Sequence, residues 1–262
     1  MGRASNLRFK KFYKDSIYLF YKNYLYSYLV RRSGVRRKIP QGRFKQILEL
    51  GCGISSLLEH VEAPTILTDI SWDALNYLRS FSRNGKNRQW IACDGGRLPF
   101  LNECFDCIVC SEVLEHVEKD EGVLDEAVRV LKRDGEFFLT VPVQPRCFGF
   151  DDRLVGHYRR YETDQLVQAL ARRGLGHFKI HPLLGPLEKW IMGRAAALFW
   201  ILRKVKLRTK HGLFSTPFRI LAWGTLPFYV LTNYLLAGLV SWQARNLSTE
   251  KVVNVLIQCQ KL

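Results

Sequence analysis

The sequence predicts an α/β protein: a doubly wound, mostly parallel seven-stranded sheet, with a basic aromatic helix before it and a hydrophobic helical insert before its last strand. Three observations predict this. Short apolar runs alternate with helical patterns from residue 47 to 181, the order that builds a parallel sheet covered by helices on both faces. The first run, Ile47 to Leu50, breaks into the tight turn Gly51-Cys52-Gly53, where backbone can approach a ligand closely. A long apolar stretch, 183–242, then separates the sixth run from the seventh.

The strand candidates are Ile47–Leu50, Thr65–Thr68, Gln89–Ala92, Phe105–Cys110, Gly135–Val141, His177–His181 and the run from Lys251 to Cys259. Helical spacing predicts helices near 55–61, 72–83, 120–132 and 163–173, with Ser55 placed to cap the first. Ligands of such sheets bind beyond the carboxyl ends of the strands. Asp69, Asp94 and the pair Ser111-Glu112 follow the second, third and fourth runs, so they gather on one rim with Glu49. Three segments result: a basic amphipathic arm over 1–44, a catalytic domain over 45–182 plus 250–262, and a hydrophobic insert over 183–249.

Charge is uneven along the 262 residues. Residues 1–45 hold thirteen Lys and Arg against the single acid Asp15, a net +12 of the chain's formal +16. Such an arm suits an anionic surface, a nucleic acid or the cytoplasmic leaflet of a membrane; a solvated helix face is the plainer alternative. Within it, Ile17, Tyr21, Tyr24 and Tyr28 follow helical spacing over 12–30. That pattern fits a helix at a membrane interface or one that packs its aromatic side over the ligand cleft. Seven cysteines and a basic start with no clean apolar segment after it predict a reducing compartment. Cys104, Cys107 and Cys110 are not expected to hold a cluster, because residues three apart on a strand face opposite ways.

Ile220 to Trp242 carries no charge, and a basic loop containing Arg203, Lys204, Lys206, Arg208, Lys210 and Arg219 precedes most of it. Two full crossings would place that loop outside, against the positive-inside tendency. The expectation is therefore a monotopic insertion of amphipathic and re-entrant helices, broken at Pro217, Pro227 and Asn233, with the basic loop on anionic headgroups. A soluble helical subdomain or a dimer interface is the alternative.

The motifs Glu49-Leu50-Gly51-Cys52-Gly53, Leu67-Thr68-Asp69-Ile70-Ser71, Cys93-Asp94-Gly95-Gly96-Arg97-Leu98-Pro99-Phe100 and Phe105 through Val117, with Val130 through Glu136, occur in order. Together they resemble the class I S-adenosylmethionine-dependent methyltransferases over about residues 45–181 and the last strand. The resemblance implies a Rossmann-like fold with S-adenosylmethionine as cofactor. It implies that Gly51, Cys52 and Gly53 approach the cofactor and that Glu49 faces its methionine end. Asp69 with Ile70 would hold the ribose hydroxyls, Asp94 and Gly95 the adenine, and Ser111 and Glu112 would complete the rim. The family's usual third glycine is Ser55 here. A dinucleotide fits worse, since Glu49 would repel a pyrophosphate and Ser56 stands where a third glycine belongs.

Methyl transfer needs an aligned nucleophile in a dry pocket, and a base only where the acceptor must lose a proton. His116 and His157 are the candidate catalytic residues. Glu112, Glu115 and His116 fall at i, i+3 and i+4 of a helical turn; some quinone and small-RNA methyltransferases use a similar set for a divalent cation, while many relatives carry Leu-Glu-His without one. Arg159 and Arg160 would bind a phosphate or brace their loop. No Asn/Asp-Pro-Pro-aromatic motif follows the fourth strand, and no Pro-Cys stands ready for attack on a pyrimidine. The resemblance is closest to the small-molecule, quinone and lipid branch. The expected function is methyl transfer to a lipid, lipid-linked or other amphiphilic acceptor, on the cytoplasmic side of a membrane that the protein touches as a monotopic or peripheral protein. An RNA methyltransferase that uses the basic arm and a non-catalytic cofactor-binding membrane scaffold are the alternatives.

Overall fold

The structure, a computed structural model, describes residues 23–82, 87–194 and 216–262. Its seven strands are β1 (Ile47–Leu50), β2 (Thr65–Asp69), β3 (Arg88–Ala92), β4 (Phe105–Ser111), β5 (Leu131–Pro142), β6 (Leu175–Leu184) and β7 (Asn254–Lys261). They form one sheet in the order β3-β2-β1-β4-β5-β7-β6. The first five pair in parallel, and β7 runs antiparallel between β5 and β6. The strand order reverses beside β1, so the crevice between the ends of β1 and β4 is the ligand position that open α/β sheets favour.

Alternation along the strands sorts the core into two layers. Ile108, Cys110, Phe137, Leu139 and Ile257 face one side. Helix α3 (Glu121–Val130) covers it with Val123, Leu124, Ala127 and Val130, and α5 (Thr163–Ala171) adds Leu166 and Leu170. Cys107, Val109, Phe138 and Leu256 face the other side, against α1 (Tyr26–Lys38) and α6 (Thr216–Arg245). Cys107 and Cys110 thus lie on opposite faces as period-two geometry demands. None of the seven cysteines forms a disulfide.

Three expectations about helices change. The expected helix over 55–61 does not form, and the segment is a series of turns. Its polar groups are drawn to side chains: Leu57 N–H to Glu49, Leu58 N–H to Ser56 Oγ, and the Leu58 carbonyl to the Arg88 guanidinium. A helical ladder would need those same groups. The expected helix over 12–30 lies partly outside the described residues, and within them it breaks at Tyr24 and Leu25. A new helix, α1, starts at Tyr26, whose N–H donates to Asn233 Oδ1, and continues through the basic stretch to Lys38. The third change concerns the breaks expected at Pro217, Pro227 and Asn233. The chain runs as one helix from Thr216 to Arg245. Pro217 sits in the first turn, where its missing N–H costs nothing. Asn233 closes on Tyr229 O and fastens α6 to α1.

Helix α6 has two apolar sides. Asn233, Ala237, Val240 and Ala244 face inward at helical spacing and are buried. Phe228, Leu231, Leu235, Leu239 and Trp242 occupy the opposite side and are exposed, Phe228 by 74% and Leu235 by 66%. Among the described residues no helix is long and apolar enough to cross a membrane. The basic loop of 203–215 lies outside the described residues.

Candidate active site

The turn after β1 carries the site. Gly51 has φ +65° and Gly53 +57°, the left-handed region that glycine enters without strain. Gly51 also lies directly against Val113: a Cβ there would stand 2.4 Å from Val113 Cγ2. The cofactor turn and the segment after β4 are therefore packed as one unit. The Cys52 N–H bonds Thr68 O, at 2.9 Å, which aligns the turn with the end of β2.

The acids stand where the strand ends put them. Asp69 closes β2, with one carboxylate oxygen accepting Gly53 N–H at 2.9 Å and the other Ser71 N–H at 2.8 Å. The residue after it, Ile70, is exposed. Asp94 follows β3 and accepts Gly96 N–H at 2.9 Å; Gly95, beside it, packs near Val123. At the end of β4, the Ser111 hydroxyl shares a 2.7 Å hydrogen bond with Thr140. Asp69, Asp94 and Glu112 thus stand at or just past the carboxyl ends of β2, β3 and β4, the side of the sheet that carries the glycine turn.

Glu49 turns its side chain toward the segment that follows the glycine turn. Its carboxylate is buried and accepts from Ser56 Oγ and Leu57 N–H. It organises the turn that follows the glycines. Burial, only partly offset by those bonds and by Arg88, pushes its carboxyl up to about 7.

Glu112 adopts φ +55°, unusual for a residue with a side chain. Its carboxylate accepts from Thr140 Oγ1 and Asn254 Nδ2, and Arg31 lies 3.6 Å away. Burial raises its carboxyl, but Arg31 and these bonds outweigh it and hold it below the usual range. The expected face of Glu112, Glu115 and His116 is not built. The left-handed turn at Glu112 and the short 3-10 turn Leu114–His116 replace the regular helix that the spacing needs. His157 takes the place of Glu112: one donor atom each from Glu115, His116 and His157 lie within 4.8 Å of one another.

The candidate catalytic histidines meet, with ring centroids 4.7 Å apart and edge to face. His157 Nδ1 lies 2.9 Å from Asp152 Oδ1. Asp152 also accepts from Arg160, Lys189 and Gly149 N–H. Burial disfavours its charge, yet those four partners hold its carboxyl far below the usual range. Arg160 spends its donors on Asp152 and on the carbonyls of Val143 and Val253. Arg159 binds Asp120 and Glu118 O. Both arginines brace the loop rather than present a phosphate site.

The sequence reading missed Asp152, although it lies five residues before His157 across α4 (Phe150–Val155) and the left-handed Gly156. It also missed Arg31, Thr140 and Asn254 around Glu112. No local pattern signals Asn254, which lies 142 positions away.

A mostly parallel sheet with this strand order and an antiparallel β7, a glycine turn at its reversal point and acids at successive strand ends define a class I S-adenosylmethionine-dependent methyltransferase fold. Residues 48–139 match the family described as "Methyltransferase domain". Over residues 48–139 the chain therefore carries a methyltransferase domain. An uncharacterised protein of Methanocaldococcus jannaschii is 33% identical over 122 residues, 46% of this chain and 45% of the relative. The mitochondrial arginine-hydroxylase NDUFAF5 of Danio rerio is 32% identical over 98 residues, 36% of this chain and 30% of the relative. The matched segments span less than half the length of either relative. Among solved structures, a Thermotoga maritima protein described as a S-adenosylmethionine-dependent methyltransferase, "possible histamine N-methyltransferase", superposes with a TM-score of 0.58. It is 15% identical and covers 97% of both chains, a likeness of fold.

Proposed function

We propose that this protein transfers the methyl group of S-adenosylmethionine to a lipid, lipid-linked or other amphiphilic small acceptor at the surface of a membrane. The rim formed by Gly51, Gly53, Asp69 and Asp94 supports cofactor binding. The exposed apolar side of α6 carries the acceptor reading. It sets Phe228, Leu231, Leu235, Leu239 and Trp242 in a single helical stripe, the pattern of an interfacial helix. Basic residues precede it at 203–219 and the strongly basic 1–45 stretch adds to them, which suits anionic headgroups. The stripe is joined to the site through α1. Asn233 of α6 accepts from Tyr26, Tyr28 donates to Ser56 O beyond the glycine turn, and Arg31 reaches Glu112. These contacts tie α6, through α1, to the segments that carry the rim.

In this reading His157, oriented by Asp152, accepts a proton from a hydroxyl or ammonium acceptor at Nε2, and the domain's main work is alignment. Incubation with methyl-labelled S-adenosylmethionine and separated membrane, RNA and protein fractions tests it. Label is expected in the lipid extract. Label in RNA alone would overturn the acceptor class in favour of the basic arm's alternative. Tight cofactor binding with no label in any fraction would favour a non-catalytic membrane scaffold.

A further inference from the structure

We propose that the acceptor is an alkyl amine that enters as its ammonium, and that Glu188, Glu115, Asn254 and the Tyr26 hydroxyl select it. The inference rests on the proposed methyl transfer for its chemical step, though not for binding. The first argument is a set of unmet hydrogen-bonding atoms. Among the described residues, both Glu115 carboxylate oxygens, Asn254 Oδ1 and the Tyr26 hydroxyl are buried without a hydrogen-bond partner. All three residues are at most 3% exposed, and unmet polar atoms are costly to bury. Asn254 Nδ2 donates to the Glu112 carboxylate, which can only accept, so the amide is fixed with Oδ1 turned away. Asp152 takes the Nδ1 side of His157 at 2.9 Å and leaves Nε2 of the neutral ring as one more acceptor, 3.9 Å from Glu115 Oε1. The Tyr26 hydroxyl can accept as well as donate. What this set lacks is donors. An ammonium carries three, a hydroxyl one.

The second argument is charge. Arg31 stands 3.6 Å from Glu112, Arg160 2.8 Å from Asp152 and Lys189 2.6 Å from Asp151. Each of these cations is spent on its own carboxylate. Glu115 and Glu188 have no lysine or arginine at ion-pair distance among the described residues. Glu188 is half-buried beside Lys189, and its charge is felt by Tyr26 and Arg160. It also feels Glu112, as Glu115 does. Burial raises the carboxyls of both, that of Glu188 to about 7. A cation arriving between them reverses this, because an opposite charge favours the ionised carboxylate.

The third argument is position. The turn that carries Glu115 follows Val113, which packs on Gly51, so the site adjoins the glycine turn. Tyr158 N–H donates to Glu115 O at 2.7 Å and holds that turn against the His157 segment. Glu115 is sealed from solvent, so the ammonium reaches it only as this segment gives way; Glu188 is the carboxylate already open. A nitrogen about 2.9 Å from both Glu115 Oε1 and His157 Nε2 hydrogen-bonds to each. His157 Nε2 then takes one proton from it. The freed lone pair attacks the sulfonium methyl carbon, and the C–S bond breaks with its electron pair left on sulfur. The products are the N-methyl ammonium and S-adenosylhomocysteine, and His157 returns its proton to water.

Calorimetry of the full chain at neutral pH compares octylammonium with octanol, which share a chain length and differ in head group, with S-adenosylmethionine affinity measured on the same samples. Octylammonium is expected to bind more than about tenfold tighter than octanol. Glu188→Gln should remove most of that preference and leave cofactor affinity within about twofold of the parent. Tyr26→Phe should weaken octylammonium binding while the melting temperature holds or rises, since it deletes a buried hydroxyl that has no partner; a merely structural role gives no such split. Equal affinity for the two head groups, no octylammonium binding at millimolar concentration, or a preference unchanged in Glu188→Gln would overturn the amine site. Amine-selective binding with no methyl label in the lipid extract would strike the methyl-transfer reading and leave the amine site standing. Label carried only by lipids without an amine would do the reverse.

Discussion

Gly51 and Val113 lie so close that any Cβ at position 51 must displace the Val113 side chain. Alanine there meets two penalties, a left-handed φ of +65° and a Cβ 2.4 Å from Val113 Cγ2. The first costs about 1–2 kcal/mol and the overpacking about 1–3 kcal/mol. Gly51→Ala should lower stability by about 2–5 kcal/mol in urea unfolding and weaken cofactor binding by calorimetry; unchanged values for both would refute the packing argument. Asp69→Ala tests the other side of the same turn. It removes the acceptor of Gly53 N–H and should abolish measurable S-adenosylmethionine binding while the chain stays folded. At this scale the sequence was most legible where chemistry is local. Asp69, Asp94 and the two glycines sit at strand ends, and strand ends are visible as apolar runs. The hydrogen bonds of Glu49 to Ser56 and Leu57 N–H were not legible, because they depend on a turn that reads like a helix. The left-handed backbone at Glu112 has no signature in residue type, so the expected row of Glu112, Glu115 and His116 was misplaced by one member.

Helix α6 shows what periodicity reveals and what it hides. Its composition is apolar all round, which reads equally as a membrane segment or a buried helix. The structure divides it: Ala237, Val240 and Ala244 go to the sheet, and the bulky Phe228, Leu235 and Trp242 go outside. Small residues inside and large ones outside reverse the usual amphipathic logic. The double substitution Leu235→Glu with Trp242→Glu should therefore abolish co-sedimentation with anionic vesicles and leave the melting temperature within about 2 °C, since neither side chain is buried. A protein that sediments equally well after both changes would remove α6 from the membrane reading. Helix α1 was harder to read. Its start is set by Asn233, two hundred residues later in the chain, and its basic residues looked like a tail although Tyr26, Leu29 and Val35 are core.

For the molecule as a whole, buried acids set the response to pH. The Glu49 carboxyl rises from an ordinary 4.5 to about 7 on folding, with burial as the main cause. Its folded state holds the proton more tightly, so the stability linked to it is complete below about pH 4.5 and is lost as pH climbs through 7. Glu115 and Glu188 are shifted the same way by burial. The parent chain should lose stability between about pH 5 and about pH 8, and Glu49→Gln should flatten that loss by about 3 kcal/mol in urea unfolding at the two extremes. An identical slope in the variant would mean that Glu49 is solvated. The strand order carries a different consequence, one of timing. Among the described residues strand β6 pairs only with β7, and β7 is separated from it by the whole of α6. During synthesis β6 leaves the ribosome as an unpaired edge and stays so until residues 254–261 follow. Closing that gap of about seventy residues is a non-local step of the kind that slows folding. Helix α6 is thus made, and its apolar side displayed, before the sheet that anchors it is complete.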